Sequence, residues 1–585
     1  MEGMFCEATL FNQEIGNWDV SSTQNMSWMF LETDSFNQDI GNWNVSNVTN
    51  MAGMFDYAPG FNQDISSWNT GKVTDMSWMF EAQTAGANAF DQNLGNWDIS
   101  SVTTMQGMFA NVTLSTPNYD STLMGWAVQT VKPNVTFDGG NSQYTCGIPA
   151  IARDTLTEAP NSWTITDGGM AADCPMQLRF ENIDCELQLP LRGTLDCTVN
   201  WGDGTAPEHF TTSGNKSHTY ATAGNYIVTI SGNLSQFGSG GPWGGHNYLT
   251  EVITFGNIGL TSLFGAFWAS TSIVKVPVEL PATVTNLSYC FHGAGSGTPQ
   301  DSIQNLDKWD VSNVTNMEHL FTGKRGINPD LSGWNTGNVT NMMAMFAGCE
   351  KFNADISGWD VSRVKNMHSM FQANSIFNQD ISGWAVDSVT DMSSMFNVAE
   401  AFNQDIGSWD VSSVTDMSGI FQKATSFNKN INGWDVSKVT NMKSMFEEAS
   451  AFNQNIGDWD VSDVTNMESM FKKAPVFTGD SIGKWAVDSV TTMKDMFNGA
   501  AAFNGAIGSW NVDSVTLMDR MFQSATSFNQ DIGNWNVSKV ERMTDMFNGA
   551  TSFNQDISNW DVDSVSDMAY MFNGATAFNY SLGDW

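Results

Sequence analysis

The chain has 585 residues, of which 62 are Asp or Glu and 24 are Lys or Arg, so its net charge at pH 7 is −38. This charge argues against nucleic acid and anionic membrane surfaces as partners. No apolar run approaches the length of a membrane span, so we expect no membrane insertion within this segment.

A unit of about 25 residues recurs over most of the chain, and tryptophans mark its period. In the first half they stand at Trp18, Trp43, Trp68, Trp97 and Trp126. In the second half the spacing is 25 residues except for one step of 26: Trp309, Trp334, Trp359, Trp384, Trp409, Trp434, Trp459, Trp485, Trp510, Trp535, Trp560 and Trp585. Ordering one unit costs more than burying its own apolar side chains returns, so neighbouring units must stack.

Two spacings within the unit predict its local structure. From Ile557 to Val565 the pattern I-x-x-W-x-V-x-x-V predicts a strand with Trp and Val facing the core. From Met568 to Phe572 the pattern M-x-x-M-F has the i, i+3, i+4 spacing of a short helix, with Ser566 as its N-cap. We therefore expect an α/β repeat with parallel strands, and burial of the Trp and both Met columns in every regular unit.

The first array occupies residues 1–132 and contains five units, with insertions at 81–88 and around 111–121. Residues 133–172 lose the pattern. A helix over Ile148–Leu156 and a strand over Trp163–Thr166 are expected to cap the solenoid there. Met1 aligns with the first Met of a unit and Trp585 falls inside a predicted strand, so we expect the chain to be a fragment of a longer protein.

Residues 173–236 differ in kind, because short alternating strands are separated by Gly and Pro turns, as in a β-sandwich. The expected strands cover Leu187–Leu189, Thr198–Asn200 and Tyr226–Ile230. W-G-D-G at 201–204 and H-T-Y at 218–220 resemble the polycystic-kidney-disease (PKD) domain, an immunoglobulin-like module of cell-surface proteins.

Within these two motifs, Asp203 is interpreted as a turn former, with calcium binding as the less favoured alternative, and His218 as structural. The second array then covers residues 237–585. Its repeats are degenerate to about 304 and regular over 305–585.

The stretches F-N-Q-D-I, W-D-V-S-x-V-T-x-M and M-F-x-x-A together resemble the BspA-type leucine-rich repeat, also called the mycoplasma lipoprotein-associated repeat. The resemblance implies two right-handed leucine-rich-repeat-like solenoids with parallel β-sheets, which would flank the all-β sandwich. It also implies a secreted or cell-surface location and a role in adhesion or protein binding. It brings no catalytic residues.

The sequence offers little catalytic chemistry. The six His residues form no H-E-x-x-H motif, and no Gly-rich phosphate loop follows a strand. We therefore expect neither enzymatic activity nor a cofactor.

Four of the seven Cys residues, Cys146, Cys174, Cys185 and Cys197, cluster between the arrays. They allow three pairings, and the sequence does not choose among them. Without a C-x-x-C motif, extracellular disulfides are favoured over zinc. Cys349 lies among regular units and is expected to be free.

The residue after each repeat Trp is predicted to form an exposed polar column on the stacked strands, which we interpret as the binding face if the protein has one. The candidate residues of this column are Asp310, Asp360, Asp410, Asp435, Asp460, Asn511, Asn536 and Asp561. The consecutive Asp410, Asp435 and Asp460 would repel one another and could bind Ca²⁺ weakly. The alternative is a strand face kept polar for solubility.

Together these features predict a non-catalytic adhesion or interaction scaffold, located outside the cell or at its surface. Its partner would be a protein or glycan on another cell or matrix. The alternative is a carbohydrate-binding accessory region of a larger extracellular enzyme.

Overall fold

The computed structural model describes residues 1–184, 186–293, 303–583 and 585. They fall into two compact units. The first contains residues 1–177 and 256–258, and the second contains residues 178–255 and 259–585.

The regular repeats of the second unit are joined by backbone hydrogen bonds that run from each repeat to the next. The N–H groups of Met392, Ser394, Phe396 and Val398 donate to carbonyl groups 24 residues further along, at N···O distances of 2.8–3.2 Å. One isolated parallel bridge per repeat lies just before the first Met, as in the pairing of Asp391 with Asp416. The M-x-x-M-F segment is therefore the segment through which repeats are joined.

The predicted α/β leucine-rich-repeat fold is wrong. M-x-x-M-F is a run of turns and not a helix, and Ile557–Val565 contains turns closed by bonds such as Trp560 N–H to Ile557 O, 3.1 Å, and not a strand. In the described part of the chain the only α-helices lie outside the regular repeats. Sequence spacing misled because a run of turns also brings residues i, i+3 and i+4 to its inner side.

Left-handed backbone explains why M-x-x-M-F cannot be helical. The second and sixth residues after the first Met have positive φ, as at Ser394 (+57°) and Val398 (+60°). Most side chains disfavour this region, and an α-helix has no place for it. Glycine fills the same positions in other repeats, for example Gly419 (+61°) and Gly348 (+68°).

The core consists of columns that repeat along each array. Trp409 and Trp434 are each 3% exposed, and Met392 and Met395 are fully buried, which confirms the predicted burial of the Trp and both Met columns in these units. The prediction for every regular unit is wrong at the last one, where Met568 is only half-buried because no further repeat covers it. Each Trp also has a polar role, because the indole Nε1–H of Trp434 donates to the carbonyl of Ile406 in the preceding repeat at 3.0 Å. A buried carbonyl is satisfied this way, which a Leu or Phe side chain could not do.

We expect Trp434→Phe to lower the free energy of unfolding by about 2–4 kcal/mol, because it removes buried volume and leaves the Ile406 carbonyl without its donor. Chemical denaturation followed by circular dichroism measures the change. The matched control is Trp585→Phe, at a half-buried indole of the same column. The Trp585 indole also donates to a carbonyl, that of Ile557 at 3.3 Å, so equal losses at the two sites would contradict burial as the cause.

The left-handed positions generate a reciprocal test. Val398→Gly should raise stability by about 1 kcal/mol, since a β-branched residue is strained at positive φ. Gly348→Val should lower it by a similar amount, although a Cβ there would meet only ordinary contacts, the nearest atom being the Gly323 Cα at 3.5 Å. Thermal unfolding of both variants checks the signs, and a stabilising Gly348→Val would refute the assigned backbone.

In the first unit the same ladder joins the N-terminal repeats, with Met26 N–H donating to Asn50 O at 2.9 Å. After the last of them come α1 (Thr116–Ala127), β1 (Thr136–Asp138), α2 (Ile148–Thr157) and β2 (Thr164–Thr166). The helix and strand predicted in this region are confirmed as α2 and β2. β1 and β2 pair in parallel.

The structure shows the pairing state of three of the four cysteines between the arrays. Cys146 and Cys174 form a disulfide, and Cys197 is free and buried. Cys185 lies outside the described residues. Cys349 is free, as predicted, and its thiol lies 3.1 Å from the carbonyl of Phe321.

Along the chain, the segment between the two arrays contributes six strands to one sheet. They are β3 (Met176–Ile183), β4 (Glu186–Asn200), β5 (Glu208–Phe210), β6 (Gly214–Thr219), β7 (Gly224–Phe237) and β8 (Leu249–Thr254). The strand order is β5-β4-β7-β3-β8, with β6 also pairing with β4. The three predicted strands fall within β4 and β7. The predicted two-sheet sandwich is wrong, because the long β4 takes part in a single sheet and pairs with β6 along its first half and β5 along its second.

The W-G-D-G and H-T-Y motifs meet in this sheet region. The rings of Trp201 and His218 stack at 4.8 Å, and the Tyr220 hydroxyl donates to the Trp201 carbonyl at 3.0 Å. Asp203 accepts from the Thr205 N–H at 3.0 Å and lies 2.8 Å from His218 Nε2. Desolvation raises the pKa of Asp203, but hydrogen bonds from Thr205 and His218 outweigh it and lower the pKa to about 2. These contacts fit structural roles for both residues.

Neither helix among the described residues is long and apolar enough to span a bilayer.

Candidate binding surfaces

The acidic column predicted from the sequence is exposed along the second array, and its side chains are engaged locally. In each case the side-chain Oδ1 accepts the N–H of the residue two positions later, as in an Asx turn. The pair Asp435 and Ser437, at 3.1 Å, is typical. The column members in this arrangement are Asp310, Asp360, Asp410, Asp435, Asp460, Asn511, Asn536 and Asp561.

The Ser two positions after Asp410, Asp435 and Asp460 stabilises the charged form of each carboxyl group. Hydrogen bonds from Ser412, Ser437 and Ser462 lower the pKa values of Asp410, Asp435 and Asp460. Each carboxylate thus has a partner within its own repeat. Among the described residues, no group of three or more His, Cys, Asp or Glu side chains could hold a metal ion. The calcium site at Asp410, Asp435 and Asp460 stays a prediction from sequence.

A turn-forming role for the column predicts different outcomes for two substitutions. Asp435→Ala should cost about 0.5–1.5 kcal/mol, because the Ser437 N–H loses its acceptor. Asp435→Asn keeps an acceptor oxygen and should change stability by less than about 0.5 kcal/mol. Urea denaturation distinguishes the two, and equal losses would show that the charge, and not the turn, is what the repeat requires.

Other polar columns are also fixed by hydrogen bonds between repeats. The N–H of Asn428 donates to Oδ1 of Asn403 at 3.1 Å, and the N–H of Asn453 donates to Oδ1 of Asn428 at 3.0 Å. Thr440 Oγ1 donates to the Thr415 carbonyl at 3.3 Å. These residues recur from repeat to repeat because the stack uses their side chains, so their regularity has a structural cause.

A second surface carries the side chains that vary between repeats. We define the ladder face as the positions one, two, five and six residues after the first Met of each repeat. Its side chains contact one another along the stack and form charge-paired rows. In one row Lys443 and Lys494 both pair with Glu468, at 3.1 and 3.8 Å, and in another Arg520 pairs with Asp495 at 2.7 Å.

Aromatic side chains gather on the ladder face of the degenerate repeats in the second unit. Tyr289 stacks on Trp268 at 5.0 Å and on His319 at 4.6 Å. His292 lies 4.3 Å from the Trp268 ring. Burial lowers the pKa values of His292 and His319, which favours their neutral forms.

In the first unit the ladder face carries two tryptophans that do not belong to the buried Trp column. Trp28 and Trp78 stack at 6.2 Å with an interplanar angle of 21°, and Trp78 is 38% exposed. Both have positive φ, +60° and +57°. Their rings lie over Gly53 and Gly107 of the following repeats, where any Cβ would clash with the indoles at 2.0–2.5 Å.

Comparison with family models matches the chain to the family described as "Mycoplasma protein of unknown function, DUF285". The five matched segments are residues 1–89, 42–140, 285–406, 373–481 and 476–585. The chain belongs to this family. No curated protein and no solved structure matches.

This result corrects the resemblances drawn from sequence. The BspA-type leucine-rich repeat assignment is wrong, because the matched family is DUF285 and the repeats lack the strand and helix of a leucine-rich repeat. The PKD assignment is also wrong, because residues 173–236 lie outside every match and their strands belong to one sheet. The short motifs were too general to identify a domain.

The second unit has an open cleft of about 800 Å³. Glu251 on its wall binds both Arg179 and Lys275 at 2.8 Å. Desolvation raises the pKa of Glu251, but hydrogen bonds from the two basic groups outweigh it, so the pKa is lowered. Glu251 is therefore held by two basic partners within the cleft wall.

Sequence reasoning missed the ladder-face aromatics of the DUF285 repeats. A usable signal was present, because M-S-W-M-F at 26–30 and 76–80 puts Trp where other repeats have Gly, Ala or Ser. Assigning M-x-x-M-F to a helix hid the fact that the second residue after the first Met, Trp in these two repeats, lies outside the apolar core.

Proposed function

We propose that this protein is a non-catalytic interaction scaffold that acts outside the cell or at its surface, and that the ladder face is its binding surface. The partner would be a protein or glycan on another cell or on the surrounding matrix. Nucleic acid is disfavoured by the net charge of −38.

The observation that supports this proposal is the contrast between two sets of positions outside the apolar core. Asn, Asp and Thr columns are nearly constant, and each has a hydrogen-bonding role in the stack. The ladder face instead changes from Trp to Gly, His, Ser, Lys, Glu, Asp and Arg on the same backbone. Because the stack accommodates many different side chains there, those positions are available to match a ligand.

The proposed location is supported by chemistry in the first unit. The Cys146–Cys174 disulfide fits an oxidising compartment, where such bonds persist. The large negative charge also suits an exposed, soluble surface.

One observation favours the second candidate, a carbohydrate-binding accessory region of a larger extracellular enzyme. Trp28 and Trp78 expose aromatic surface, and an indole face can pack against the apolar face of a sugar ring. A glycan partner therefore remains one arm of the test.

The test compares two variants of equal net charge. The ladder-face variant changes Glu318, Lys443, Glu468 and Lys494 to Ser, a residue that other repeats already use on this face. The control variant changes Asp387, Lys438, Asp463 and Lys484, which are exposed elsewhere on the second array, to Ser. Each removes two acidic and two basic groups, so overall electrostatics are matched.

Binding of the unchanged protein and both variants is measured on immobilised collagen, fibronectin and laminin and on a glycan array. We expect at least one ligand to bind the unchanged protein and the control, and to bind the ladder-face variant about tenfold or more weakly. No binding to either panel, or equal loss in both variants, would contradict the proposal.

A further inference from the structure

We propose that Trp28 and Trp78, together with the carboxyl groups of Glu32, Asp56 and Glu81, form a site for the guanidinium group of an arginine presented by a partner protein. The inference rests on the proposed scaffold function and assigns a ligand chemistry to one part of the ladder face. All five residues belong to the first unit.

The two indoles provide an aromatic surface that the fold does not require. Trp28 lies across Gly53, and Trp78 across Gly107, so each ring occupies space that the glycine of the next repeat leaves empty. Neither tryptophan fills the core, since the buried column uses Trp43, Trp68 and Trp97. Both also adopt left-handed backbone, which is unfavourable for a bulky residue.

Asp56 adjoins this aromatic surface. It is the fifth residue after Met51, and Gly53 is the second. In the regular repeats these two positions are in contact, as Asn498 Nδ2 donates to Asp495 Oδ1 at 2.7 Å. Since Gly53 has no side chain and the Trp28 ring fills its place, the register puts Asp56 beside that ring.

The carboxyl group of Asp56 lacks a complete set of partners. The residue is only 6% exposed, and its Oδ1 has no hydrogen-bond partner. A buried, unpaired carboxyl oxygen is costly and rare in folded proteins. It is the kind of group that a donor from a ligand would satisfy.

Further negative charge surrounds Asp56. Desolvation together with Glu81 and Glu32 raises its pKa to about 7, and desolvation also raises the pKa of Glu81. Within the described residues, no Lys or Arg forms an ion pair with any of these three groups. In the second unit, by contrast, Asp495 on the same face is paired with Arg520.

Arginine fits these features better than a neutral ligand. A guanidinium group is planar, stacks on indole faces and donates paired hydrogen bonds to carboxylates. It would compensate the crowded charge and supply the donor that Asp56 Oδ1 lacks. A sugar could stack on the indoles, but it would leave the three carboxyl groups uncompensated.

A pocket beside the site gives the partner chain a place to continue. Glu32 and Tyr57 line a cavity of about 330 Å³, together with Ala82, Gln83 and Asn88. The last three residues come from the 81–88 insertion, which lengthens this repeat beyond 25 residues. The insertion thus shapes the surface next to the carboxyl cluster.

The test uses three peptides at low ionic strength, where electrostatic binding is strongest. They are acetyl-Gly-Arg-Gly-amide, the same peptide with citrulline, which is isosteric and neutral, and the same peptide with lysine. Binding is followed by calorimetry and by the fluorescence of the exposed indoles. We expect the arginine peptide to bind about tenfold more tightly than the citrulline peptide and about threefold more tightly than the lysine peptide.

Two substitutions at the site should each lower the affinity for the arginine peptide about fivefold or more. Trp78→Ala removes the aromatic ring, and Glu81→Gln removes a negative charge. Trp78→Phe should retain most of the binding. The control Asp387→Asn removes one exposed charge from the second array and should leave binding unchanged. Thermal unfolding verifies that each variant is folded, and Glu81→Gln keeps the test open if Trp78→Ala is not.

Equal binding of the arginine and citrulline peptides, or unchanged binding in Glu81→Gln, would overturn the inference. Equal binding of lysine and arginine would overturn the guanidinium assignment. Glycan binding that is lost in Trp78→Ala but kept in Glu81→Gln would show a sugar platform instead. The scaffold proposal is judged separately, by the second-array variants on the matrix and glycan panels.

Discussion

The structure depends on the backbone ladder that joins each M-x-x-M-F segment to the next. Alternate N–H groups from Met392 to Val398 donate to the following repeat, so each unit needs a neighbour to satisfy its backbone. This geometry requires left-handed residues at two positions per repeat. It also separates the exposed positions into those whose side chains hold the stack and those that are free to vary.

How much of this fold follows from the sequence can be judged from particular elements. The 25-residue period, the burial of Trp434 and the helix α2 were predictable, since apolar periodicity and local propensity determine them. The turn structure of M-x-x-M-F was not, because i, i+3, i+4 spacing does not report the sign of φ. A weak clue was glycine at Gly348 and Gly419, both at left-handed positions.

The candidate site was less predictable for the same reason. The Asp435 column was correctly placed on the surface, but its Asx turn with Ser437 depends on backbone geometry that spacing alone does not give. Trp28 and Trp78 were hidden by the helix assignment, and the unsatisfied Oδ1 of Asp56 is a three-dimensional property. A buried carboxyl without a partner cannot be recognised until its neighbours across repeats are known.

Hydrogen–deuterium exchange with peptide-level mass spectrometry tests the backbone ladder most directly. The ladder predicts that peptides spanning 392–398 and their counterparts in the central repeats exchange most slowly, since their N–H groups bond to the next repeat. Residues 83–85, an exposed part of the insertion at 81–88, serve as the fast-exchanging reference within the same chain. Exchange of the 392–398 peptides as fast as that insertion would contradict the account.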